Sequence, residues 1–133
     1  MKRNIVNACA ASAVAVGMLF APTVSAAETM TTPVLKTMLE DMPNTEAVVV
    51  LFDVEPGWAT DHHFHPGHLF VYMLEGTLRL EVDGQEPVEY HAGEAFYELP
   101  NVGMVGANAS AMERAKFVVF QFGEVGKPIM VSD

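Results

Sequence analysis

Cysteine is all but missing: of 133 residues only Cys9 is one. It lies in an N-terminal stretch that reads as an address rather than as fold. Beyond that stretch no disulfide, thiolate nucleophile or cysteine metal ligand is available. Positive charge is also scarce, with seven Lys and Arg against seventeen Asp and Glu and a formal charge of −10. Such a chain repels nucleic acid and anionic lipid and attracts cations weakly. A long hydrophobic span is absent too. The apolar run from Ala8 to Phe20 is too short to cross a bilayer. Lys2 and Arg3 precede it, and Pro22 and the small residues Val24-Ser25-Ala26 follow it. This pattern predicts a secretory signal peptide over residues 1–26, cut after Ala26, and a periplasmic or secreted domain over 27–133 with no membrane attachment. A lipid-bearing cysteine would follow the apolar run, whereas Cys9 precedes most of it. Without Lys2 and Arg3, five basic side chains face seventeen acidic ones, a charge of −12.

No amphipathic helix, linker, low-complexity tract or repeat stands out after residue 27. Short strands and turns do. Val34 to Met38 is a first strand, with a short helix as the alternative. Val48 to Phe52 is a β-branched and apolar run closed by Pro56-Gly57. Leu69 to Glu75 is followed by the turn at Gly76. Leu78 to Val82 alternates apolar and polar residues, as a half-buried strand does, and ends at the hairpin signal Asp83-Gly84. Val88 to His91, Ala95 to Leu99, Lys116 to Phe122 and Ile129 to Val131 complete the set. Eight short strands with closely spaced turns predict an all-β sandwich or closed barrel in one domain.

Four of the five histidines fall in His62-His63-Phe64-His65-Pro66-Gly67-His68. Residues two apart on an extended strand share a face, so His63 and His65 can converge on one ion while His62 points away. Imidazole suits zinc, copper, nickel and iron. His91 stands apart, beside a turn, and reads as a surface residue.

The stretch from Gly57 to Gly84 resembles the cupin superfamily, in particular the small single-domain type-2 cupins. Gly57, five residues, His63-Phe64-His65 and a closing Gly76 follow the family's first motif. Gly93 and Asn108 bracket a degraded second motif. The likeness runs over about residues 34–131. It implies an antiparallel jelly-roll barrel, the double-stranded β-helix, with a metal held by two His and a Glu of the first motif and a His of the second. His63 and His65 carry over. The Glu position falls on Leu69, the second His position on Met104, and the usual Pro and Gly on Leu99 and Asn101.

Half the implied ligand set is thus replaced, and three readings follow. In the first, the exported protein binds metal without turnover. Here His63, His65 and the Met104 thioether form a soft site that prefers copper, with His68 one residue from the missing Glu as a further ligand. Taken alone, Met104 reads as core filling. In the second, Glu98 replaces the carboxylate, and two His and one carboxylate suit iron or manganese in an enzyme such as a dioxygenase or isomerase of a small polar substrate. Tyr97, Glu98 and Asp61 are then acid–base candidates. In the third, the barrel is a metal-free ligand-binding or structural dimer. Small cupins commonly pair through exposed sheets, so a homodimer is among the expectations. Phe70 and Tyr72, opposite in face to Leu69 and Met73, would pack there. The expected partners are a small molecule or a metal ion.

Overall fold

A computed structural model describes residues 28–132, so the signal-peptide expectation for residues 1–26 lies outside the described residues. The described chain is all β, in two five-stranded antiparallel sheets. In chain order the strands are β1 Met30–Met38, β2 Thr45–Val54, β3 His63–Phe64, β4 His68–Glu75, β5 Thr77–Val82, β6 Val88–His91, β7 Ala95–Glu98, β8 Met104–Asn108, β9 Ala115–Glu124 and β10 Val131–Ser132. One sheet runs β1-β2-β9-β4-β7 and the other β10-β3-β8-β5-β6. The chain passes repeatedly between the sheets, as in the expected jelly roll.

Alternation places the core. Along β4, Leu69, Val71 and Met73 are buried, while His68, Phe70, Tyr72 and Leu74 face out. Leu78 and Leu80 of β5, Phe96 of β7, Met104 of β8 and Phe117 and Val119 of β9 close over them in one cluster. Interdigitating apolar side chains from two inner faces are the main source of stability in such a sandwich.

Two glycines fix the segments that matter for the site. Gly76 makes the β4–β5 turn at φ 73, where a side chain would also meet the Arg114 carbonyl at 2.5 Å. Gly67 lies just after the histidines, with its backbone against β9; a Cβ there would sit 2.6 Å from the Phe122 carbonyl. Only glycine lets the His65-Pro66-Gly67 segment lie this close to its neighbour.

Three elements differ from the sequence reading. No strand is expected from the sequence over Met104–Asn108; its pairing with β5 over five residues makes β8 one. β1 is the expected strand and not the helix alternative, but it begins four residues earlier, paired with β2 around an irregularity at Pro33/Leu35. The last strand starts at Val131 rather than Ile129, because Ile129 is turned toward the histidines.

Candidate metal and ligand site

His63 is on β3 and His65 follows it by two, so both imidazoles turn inward and are 4% and 8% exposed. His62 takes the other face and meets Asp83 at 3.1 Å on the surface. Across the β4–β7 ladder, Leu69 stands directly opposite Glu98. Directly opposed residues share a sheet face, and Glu98 is buried at 6% exposure. Glu98 therefore places a carboxylate on the face that Leu69 occupies.

The polar contacts of this trio are unusual. His63 Nδ1 donates to the Asp61 carbonyl at 2.9 Å, and His65 Nδ1 donates to the Ile129 carbonyl at 2.5 Å. A carbonyl only accepts, so both Nδ1 atoms carry protons; in the neutral rings both Nε2 atoms then carry lone pairs. Those lone pairs meet: Nε2 of His63 lies 3.2 Å from Nε2 of His65, which lies 3.2 Å from Glu98 Oε2. The rings are nearly perpendicular, with centroids 4.9 Å apart. Glu98 Oε2 is buried and receives no hydrogen bond. Burial holds the His63 pKa below its ordinary value. The Asp61 carbonyl opposes that, His65 reinforces it, Glu98 opposes it and His62 reinforces it.

With both rings neutral, three acceptors converge with no proton donor among them. Such an arrangement is costly in a buried site unless a cation joins it. Ligands about 2.0–2.1 Å from one tetrahedral ion lie roughly 3.3 Å apart, close to both observed separations. The backbone carbonyls behind the rings are the kind of outer partner that orients metal-binding imidazoles. The contacts run in a chain through His65 rather than closing on one another. Among the described residues no group of three or more His, Cys, Asp or Glu side chains forms a ready metal cage.

The other expected ligands fall elsewhere. Met104 is opposite His63 in the β3–β8 ladder and is 1% exposed. It lines a second cavity of about 260 Å³, whose wall also includes Glu98. His68 is not brought to the pair. It is the first outward residue of β4, hydrogen-bonded to the Tyr97 hydroxyl and stacked on that ring. Counting by twos from His65 reaches Leu69 and skips His68, so alternation alone excludes it. His91 is exposed and meets Thr77, and Tyr97 faces out. Asp61 contributes its backbone carbonyl to the site.

Beside the trio lies a cavity of about 120 Å³ between the sheets, walled by Phe52, Trp58, Leu69, Val71, Phe117 and Val119. Trp58 leans on Phe117, with ring centroids 6.1 Å apart. Sequence reasoning missed this chamber and the orienting carbonyls of Asp61 and Ile129. Any residue has a carbonyl, so no residue type marks the second feature.

The family model for the cupin domain matches residues 50–120, and the chain belongs to the cupin family. Solved structures agree on the fold. A double-stranded β-helix protein from Klebsiella pneumoniae is 23% identical at TM-score 0.58, with 77% of this chain and 89% of that one covered. A cupin superfamily protein from Desulfitobacterium hafniense is 14% identical at TM-score 0.56, covering 76% of this chain and 84% of that one. A mutant oxalate decarboxylase from Bacillus subtilis is 25% identical at TM-score 0.56, with 65% of this chain and 23% of that larger one covered. No curated protein sequence matches the chain.

Proposed function

We propose that this cupin binds a divalent transition metal through His63, His65 and Glu98 and uses the adjoining chamber for a small molecule. One observation carries this reading: two buried imidazoles with committed Nδ1 protons direct their lone pairs toward each other and toward a buried carboxylate oxygen that receives no hydrogen bond. Two His and one carboxylate suit iron or manganese. The copper alternative needs the Met104 sulfur, and the recorded contacts of the trio involve Glu98 instead. A metal bound there would supply Lewis-acid polarisation of an oxygen on the small molecule. The protein's own share is to hold the two rings by Asp61 and Ile129 and to keep water out with an apolar wall.

Elemental analysis of purified protein tests the proposal. Wild type should retain iron or manganese near one equivalent, and Glu98→Gln should lower that metal's affinity by at least about tenfold, the loss typical of removing even an outer partner. Trace metal in wild type, or equal retention in the variant, would overturn it. If Met104→Leu rather than Glu98→Gln strips the metal, the copper reading replaces it.

Export and pairing complete the proposal. The leader over residues 1–26 supports export, and N-terminal sequencing of the mature protein should begin at Ala27. The outward face of the larger sheet supports a homodimer. One row crosses all five strands as Leu35, Val49, Phe120, Phe70 and Tyr97, and the next as Thr32, Leu51, Val118, Tyr72 and Ala95. Neither row carries a charge, on a chain of −10. Two copies meet there with least repulsion.

A further inference from the structure

We infer that the chamber beside the trio takes a neutral, mostly hydrocarbon molecule with a single hydroxyl or carbonyl oxygen, and not a small dicarboxylate. This rests on the reading of His63, His65 and Glu98 as the functional centre.

The wall decides the class. No Lys, Arg, Asn or Gln lines the chamber, and Glu98 is its only acidic group. Thr60 is its only hydroxyl, and that oxygen already accepts the Gly106 N–H at 3.0 Å. A carboxylate lodged beyond the imidazole end, among Phe52, Trp58, Val71, Phe117 and Val119, would lose its hydration and find at most the Thr60 hydroxyl as donor, which is costly for an ion. A dianion would also lie beside the buried Glu98. One polar atom can be met at the imidazole end of the chamber; everything beyond it meets only aliphatic and aromatic carbon. Size narrows the class further. The volume is about 120 Å³, and an apolar protein cavity of about 150 Å³ holds benzene. A ligand of roughly five or six non-hydrogen atoms fits on that scale. Met130 is 41% exposed and yet lines the chamber, which puts the mouth beside β10.

Two features make the inference measurable. Trp58 is the only tryptophan in the chain, and it stands in the wall. Gly106 also lines the chamber, and a Cβ added there meets no atom within 4 Å. Gly106→Ala therefore occupies ligand space without disturbing the packing.

The experiment titrates full-length mature protein with cyclopentanol and, separately, with oxalate. Trp58 fluorescence and the melting temperature are followed, and metal content is measured on the same samples. Cyclopentanol should shift the fluorescence saturably and raise the melting temperature, whereas oxalate at equal concentration should do neither. Gly106→Ala should melt no lower than wild type and bind cyclopentanol about tenfold more weakly, the scale of one methyl group in an apolar pocket. Saturation by oxalate alone, by neither probe, or cyclopentanol binding indifferent to Gly106→Ala would overturn the inference. Cyclopentanol binding in protein without metal supports the ligand class while refuting the metal reading. Bound metal without a cyclopentanol response does the reverse.

Discussion

Glu98 is the residue on which the site turns, because its buried oxygen receives no hydrogen bond from the chain. This gives its replacement opposite effects in two states of the protein. Without metal, Glu98→Gln removes a charge from a dry site and offers an amide N–H to the His65 lone pair, so the variant should be more stable by about 1–3 kcal/mol, the usual cost of an unsatisfied buried polar group. With saturating metal the same variant loses a ligand and should be the less stable one, since a metal that binds only the folded state adds stability in proportion to its affinity. Denaturant melts of both proteins, with chelator and with added iron or manganese, measure the crossing. A variant less stable under both conditions would show that Glu98 is held by the fold and not by a cation. His63 and His65 were legible in the sequence because their spacing fixes a shared face. Glu98 was only one alternative there, since nothing local reveals that β7 pairs with β4 in the register that sets it across from Leu69.

Among the elements, β1 is an edge strand held by its ladder to β2 and by one ion pair across it. All nine of its residues are exposed, and its Lys36 reaches across to Glu46 at 3.0 Å. Glu46 lies on β2, buried, and also accepts the Gly126 N–H. The Lys36 hydrogen bond is the largest influence on its pKa. Burial opposes it, Gly126 and the Lys36 charge assist it, and the net result is a value below the ordinary 4.5. The unfolded chain then binds this proton more readily than the folded one. The contact's stabilisation is therefore complete above about pH 4.5 and is lost as pH falls through the lowered folded value. Amide exchange of β1 should accelerate in that acid range, and Glu46→Gln should show fast β1 exchange already at neutral pH. Equal protection in the two proteins at neutral pH would count against this role. β5 was readable from alternation, β4 was placed to within a residue, and β6 to the residue. β8 was not, because its strand character comes from partners on both sides and not from its own side chains.

At the scale of the molecule, charge and shape divide the surface. On the outward face of the larger sheet Phe70, Tyr72 and Tyr97 are each 44% exposed, in two adjoining rows without a charged side chain. Exposed apolar area of this extent is characteristic of association sites. Mature protein should therefore sediment as a dimer, and Phe70→Glu should shift it toward monomer by at least about tenfold in dissociation constant, since a charge buried without a partner costs well over 1.4 kcal/mol. A wild-type monomer at all concentrations would refute the pairing. An all-β sandwich or barrel was legible from strand count and turn spacing, and the jelly roll from the cupin resemblance, but the chamber was not, because its wall draws on residues from Phe52 to Met130 that meet only once both sheets close.

The pairing of Leu69 with Glu98 reaches beyond this chain. A pattern that reads along one strand scores position 69 as a loss and the site as decayed. Read across the ladder, an acid stands one strand sideways, about 5 Å away. A relative with an apolar residue at that point and an acid facing it would keep a carboxylate on that face although its first motif reads as incomplete. Sorting cupins by facing pairs would gather such relatives as a group, with this protein as its test case.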